Sequence, residues 1–178
     1  MKTNSTRRDF LSAGVALPAV GLLGLGDKTQ KAVQSAPGAP KVKFEYRTLG
    51  RTGLKVTTVG FGCMITSDPS VIERAADIGI NYFDTARGYQ GGNNERMVGA
   101  ALKRKRKDIV LSTKVPSDTK DQALKDLDTS LRELATDYVD IWYLHGKDGP
   151  SEVTGELLEA QRIAKQQGKI RFSGVSTH

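Results

Sequence analysis

Four side chains that can hold or move a proton stand at the ends of short apolar runs. Asp84 closes the run 80–84, and Tyr89 follows five residues later in a glycine-rich loop. Lys114 comes directly after the run 109–113, and His145 directly after the run 138–144. Ser176 follows a further run, 170–175. A carboxylate, a phenol, an ammonium and an imidazole are groups suited to general acid–base chemistry. Each has a plainer use when taken alone. Asp84 would serve as a helix cap or loop acid, Lys114 as a solvated charge, Tyr89 as a surface aromatic and His145 as a satisfied core histidine. Together they occupy three successive junctions of one kind, and that repetition is harder to assign to scaffolding.

The elements that must position them alternate along the chain. Residues 44–49 and 55–59 are β-prone runs joined through Gly50 and Gly53, which reads as a hairpin. A short apolar strand at 59–62 follows. Pro69 and the Ser70-to-Glu73 capping-box spacing open a helix, and Gly79 stands where it would end. Strand-like runs at 80–84, 109–113, 138–144 and 170–175 are separated by helical patterns at 94–103, 117–136 and 151–167. In the longest of these, Leu124, Leu127, Leu131 and Leu134 make one apolar stripe. Such alternation predicts an α/β fold of parallel strands with crossover helices. Two architectures fit it: a doubly wound five-stranded sheet, and the first five strands of a (β/α)8 barrel. Length alone favours the open sheet, because a barrel takes about 250 residues. In either one the strand ends share a face, and in a barrel they converge where chemistry is found.

Composition narrows the classes. The chain has 178 residues, 38% of them hydrophobic, with 27 lysines and arginines against 20 acids. One cysteine and two histidines exclude a disulfide framework and leave little for a metal centre. Residues 1–40 read as a separate segment. Arg7 and Arg8 precede Phe10, Leu11 and a short, weakly apolar stretch, a pattern similar to a bacterial twin-arginine signal. A linker rich in small residues, proline and glycine follows at 30–40. The expectation is export by the twin-arginine translocase, to a periplasm or to a membrane held by an uncleaved signal. That segment carries +3 of the total +7, so the domain at 41–178 is only modestly basic. Nucleic acid is therefore not an expected partner. The basic run 103–107 reads as the cationic end of a helix, where it complements the dipole.

Residues 44–178 resemble the N-terminal part of an aldo/keto reductase. Tyr46 to Val56 is similar to the family's opening hairpin, and Val59 to Cys63 to its first barrel strand. Phe83-Asp-Thr-Ala86 with Tyr89, Ser112 to Val115, Tyr138 to His145, and Gly168 to Ser176 resemble the next four, in order and spacing. The resemblance implies a (β/α)8 barrel and NADPH-dependent reduction of an aldehyde or ketone. It implies a catalytic tetrad of Asp84, Tyr89, Lys114 and His145. It also implies nicotinamide contacts at Asp84 and Ser176, and near Cys63 and Met64. Thr177 stands where the family often has asparagine, and its hydroxyl can also hydrogen-bond. Hydride addition puts negative charge on the carbonyl oxygen, so a proton donor is needed there. Free tyrosine is a weak acid with a pKa of about 10, and a nearby ammonium makes a phenol a better donor. On this reading Lys114 activates Tyr89, Asp84 offsets the cost of placing the ammonium in a barrel mouth, and His145 orients the substrate oxygen.

Five of the eight strands of such a barrel are legible. The family's later strand ends, which bind the cofactor phosphates, have no counterpart in these residues. The chain is thus expected to be either the N-terminal half of an exported carbonyl reductase or a non-catalytic remnant that is unstable or acts by association with another chain.

Overall fold

The computed structural model describes residues 43–177. The twin-arginine-type segment and linker at 1–40 lie outside the described residues.

The chain opens with an antiparallel hairpin, β1 (Tyr46–Thr48) and β2 (Lys55–Thr57), joined through a short 3-10 turn. Five strands follow, each separated from the next by a helix: β3 (Phe61–Gly62), α1 (Pro69–Asp77), β4 (Tyr82–Asp84), α2 (Asn93–Leu102), β5 (Val110–Val115), α3 (Lys120–Glu133), β6 (Val139–Leu144), α4 (Gly155–Gln166) and β7 (Ile170–Val175). All five pair in parallel, in the order β3-β4-β5-β6-β7. A doubly wound sheet would reverse direction at a switch point. This sheet never does, so the barrel-type arrangement is the one adopted. Neighbouring helices pack on one another in sequence, α1 on α2, α2 on α3 and α3 on α4.

Side-chain alternation along a strand sorts the two faces. On β5, Leu111 and Val115 join the core under the helices with Phe83, Trp142 and Leu144, all buried. Val110 points the other way. It packs with Ile141, Leu54 and Val56, so the hairpin seals the inner face of the sheet at the start of its strands. Asn81 ties the hairpin down, accepting from Thr57 N at 2.7 Å and donating to Lys55 O at 2.9 Å. Trp142 and Tyr143 divide as alternation requires: Trp142 lies in the helix-side core, and Tyr143 packs with the inner cluster.

Several element ends differ from the periodic pattern for local reasons. Helix α1 is capped by Asp68, whose side chain accepts from Ser70 N at 2.8 Å, rather than by a box built on Ser70. Pro69 then fills the first helical position. Helix α3 starts three residues later than the expected 117, because Thr119 is extended and Ser117 is drawn to the Asp126 carboxylate at 2.6 Å. Helix α4 is shortened because 150–152 forms a separate 3-10 turn and Thr154 caps Leu157 N. The basic run follows the end of α2, and within it Arg106 turns to bond Thr136, Tyr138 O and Asp140.

The backbone passes close to Gly99 on α2. A Cβ there would sit 2.5 Å from the Leu134 carbonyl oxygen, a backbone atom with little room to move. Gly99→Ala should therefore destabilise the chain by about 1–3 kcal/mol, the usual cost of overpacking. Urea unfolding measures it, and an unchanged midpoint would contradict this packing.

Candidate active site

Asp84 is the last residue of β4, and Lys114 lies two residues beyond the position paired with it on β5. Both project from the inner face. Lys114 Nζ donates to Asp84 Oδ2 at 2.5 Å, to Thr85 O at 3.0 Å and to Tyr89 OH at 3.0 Å. The ammonium also lies 4.7 Å from the centre of the Tyr89 ring. Lys114 is only 8% exposed. Burial alone would lower its pKa, but the hydrogen bond and charge of Asp84, joined by Tyr89, outweigh it and raise the value. The ammonium is therefore held charged inside the barrel mouth. His145 follows β6, and its ring meets Tyr89 edge-on, with centroids 5.9 Å apart. The four residues singled out in the sequence thus meet in one place.

Tyr89 stands in a loop that is braced from both sides. Arg87 pairs with Glu95 at the start of α2 and donates to Gly92 O at 3.2 Å. Thr113 donates to the other Glu95 oxygen at 2.6 Å. Glu95 is fully buried, and this burial raises its pKa against the pull of its donors and of Arg87. Gly92 has φ +92, which favours glycine, and a Cβ there would fall 2.0 Å from the Arg87 guanidinium and push it from its place. Gln90 adopts φ +52, uncommon for a side-chain-bearing residue. Its amide donates to Met64 O at 3.0 Å and to Thr66 O at 2.8 Å, which fastens the Tyr89 loop to the loop after β3. Buried Asn94 adds a second tie, accepting from Thr85 Oγ1 and donating to Cys63 O.

An open cavity of about 370 Å³ adjoins the cluster, lined by Gly60, Phe61, Gly62, Tyr82, Asp84, Lys114, Tyr143 and Ser176. The residues expected to touch a nicotinamide are placed unequally around it. Ser176 lines it and accepts from Gly146 N at 3.1 Å. Thr177 is exposed just beyond, and Met64 is exposed after β3. Cys63 is fully buried in the helix-side core, where burial pushes its thiol up to about 12. A contact from Cys63 in the mouth would therefore not come from the thiol.

Sequence reading missed several residues around the site. Buried Lys147, two positions after His145, donates to Ser117 O and to Asp118 at 2.6 Å and joins the loops after β5 and β6. Tyr82 and Ser112 each stand two positions before a site residue, so the period-two rule already put them on the site's face.

Sequential parallel strands, helices packed in series and polar side chains converging at the C-terminal ends of the strands define a (β/α)8-type domain. The chain belongs to the aldo/keto reductase family, whose family model matches residues 67–178. It is 36% identical to the uncharacterized oxidoreductase YqkF of Bacillus subtilis, over 74% of this chain and 48% of that one. It is also 36% identical to L-galactose dehydrogenase of Arabidopsis thaliana, over 75% of this chain and 49% of that one. Among solved structures, it matches the holo form of aldo-keto reductase AKR11C1 from Bacillus halodurans with TM-score 0.69 and 37% identity, covering 76% of this chain and 51% of that chain. The chain spans about half the length of these relatives.

Proposed function

We propose that this chain carries the proton-handling site of an NADPH-dependent carbonyl reductase, which converts an aldehyde or ketone to an alcohol. The observation that supports this most is the Lys114 ammonium, which bridges the Asp84 carboxylate and the Tyr89 phenol.

The residues present suit a nicotinamide ring. The cavity beside Asp84 and Lys114 is largely apolar-walled, two glycines keep one wall low, and the Ser176 hydroxyl sits at its edge. Asp84, Ser176 and Thr177 would hold the carboxamide side, with the chain near Met64 alongside. When bound, the reduced nicotinamide supplies a hydride to the carbonyl carbon. Tyr89 meets the negative charge that develops on the carbonyl oxygen by giving up its phenolic proton. Lys114 donates to the phenol oxygen and so stabilises the phenolate left behind. Asp84 keeps Lys114 charged and in place. His145, against the Tyr89 ring, hydrogen-bonds the same carbonyl oxygen and fixes its direction. The grip on the cofactor phosphates is assigned to later strands of a completed barrel. The test is carbonyl-dependent oxidation of NADPH by the completed barrel, with alcohol formed in equal amount. NADPH consumption without alcohol would reject the reading.

The same proposal places the protein outside the cytoplasm, by way of Arg7 and Arg8. Replacing both with lysine should leave the protein in the cytoplasm on cell fractionation. Undiminished export would reject that route.

A further inference from the structure

The inner wall beneath Asp84 carries a second set of polar groups. Tyr82 on β4 and Tyr143 on β6 lean toward each other across β5, with their hydroxyl oxygens 3.3 Å apart. Ser112 of β5 lies between them. Its Oγ is 3.3 Å from the Tyr82 oxygen and 2.6 Å from Asp84 Oδ1.

The wall is shaped for the two rings. A Cβ at position 174 on β7 would sit 2.6 Å from the Tyr143 ring, and a Cβ at position 60 would sit 3.0 Å from the Tyr82 ring. Each tyrosine therefore fills a notch left by a glycine, Gly174 on β7 for Tyr143 and Gly60 just before β3 for Tyr82. Ser112 in the centre is small enough to leave room for both hydroxyls.

The proton count sets the direction of these bonds. A serine hydroxyl has one hydrogen, and an ionised carboxylate only accepts. Of the three acceptors around Ser112 Oγ, the Asp84 carboxylate at 2.6 Å is charged and much nearer than Tyr82 OH at 3.3 Å or Phe83 O at 3.4 Å, so the hydrogen goes to Asp84. With that hydrogen committed, the 3.3 Å contact is a hydrogen bond only with Tyr82 as the donor, and the Tyr82–Tyr143 contact, in which either oxygen can donate, then runs from Tyr143. Burial, followed by the Tyr82 contact, pushes the Tyr143 phenol above its ordinary range, which keeps it protonated. Aligned hydroxyls polarise one another in series.

We propose that Tyr143, Tyr82 and Ser112 form a directed chain of hydroxyl donors that positions Asp84 through Oδ1, leaving Oδ2 to hold Lys114. With both oxygens engaged, the carboxylate has no freedom to rotate, and the ammonium beneath Tyr89 is fixed in turn. These three are positioning residues, and their role in turnover rests on the reductase reading above.

Two measurements test this. The first uses the full chain labelled with 13C at tyrosine Cζ, in mixed light and heavy water. A hydroxyl that exchanges slowly gives paired Cζ signals, one for each isotope. Tyr82 and Tyr143 should each show a pair, and Ser112→Ala should collapse the Tyr82 pair. Single Cζ signals for both residues in the wild type would overturn the chain of donors. The second is steady-state turnover in the active enzyme. Ser112→Ala should lower kcat about tenfold with KM nearly unchanged, and adding Tyr143→Phe should lower it little further, as expected for groups acting in series. Tyr143→Phe keeps its ring in the notch, so it reports the lost hydroxyl rather than a lost fold. Wild-type kcat in Ser112→Ala, with Tyr89→Phe inactive, would overturn this inference alone. Full turnover in Tyr89→Phe would instead defeat the reductase reading, and the Cζ pairs would then decide the donor chain by themselves.

Discussion

Tyr89→Phe should lower turnover of the active enzyme by about 10²–10⁴-fold, the range general acid catalysis contributes. NADPH affinity should stay within about twofold, because the lost hydroxyl acts on charge that develops only in the transition state. The ring itself should keep its place. Its edge contact with His145 does not need the hydroxyl, and its loop is held independently by Arg87, Gln90 and Asn94. Lys114 keeps Asp84 and Thr85 O as partners after the change. A fall in kcat at constant cofactor affinity therefore isolates proton donation. Steady-state kinetics with a fluorescence titration of NADPH measure both quantities. A large rise in the dissociation constant would mean that Tyr89 serves binding instead.

The second large effect concerns residues 41–178 taken alone. They should show no appreciable carbonyl-dependent NADPH oxidation. Acid–base groups contribute only when the reacting carbons are held at near-attack distance, and positioning can contribute roughly 7–11 kcal/mol of the barrier. The cavity beside Asp84 is open, and β3 and β7 are the outer strands of the described sheet. Adding a polypeptide with three further strand–helix units should close the barrel and restore turnover. Robust turnover by 41–178 without a complement would show that five strands hold the cofactor unaided. An inert mixture, with the two polypeptides bound, would favour a non-catalytic associating protein.

Much of this was legible in the sequence because two periodicities carry it. The apolar runs at 109–113 and 138–144 became β5 and β6 almost in place, since a strand buried on both faces needs little besides apolar side chains, and the run at 170–175 became β7, the half-exposed outer strand. The strand-end residues Asp84, Lys114 and His145 followed once the strands were placed. Element ends were less legible. A cap such as Asp68, or an extended residue such as Thr119, acts through one local hydrogen bond or one dihedral angle and leaves no periodic trace. The order of the strands could not be read from periodicity, because sequential and doubly wound sheets share the same alternation. Least legible were the braces of the site. Gln90, Asn94 and Glu95 read as ordinary loop and helix-surface residues. Their partners at Met64, Cys63 and Thr113 are 18–31 residues distant in sequence, and only the fold brings them together.

The chemical step itself can be isolated. Hydride transfer to a carbonyl substrate can be followed in a single turnover, with NADPH already bound, in the wild type and in Lys114→Met. If the ammonium bridging Asp84 and Tyr89 is what readies the phenol, the variant should bind NADPH nearly as well yet transfer hydride more slowly by about 10²–10³-fold. Equal single-turnover rates in the two proteins would contradict the assignment of Asp84, Tyr89, Lys114 and His145 as the site of proton transfer.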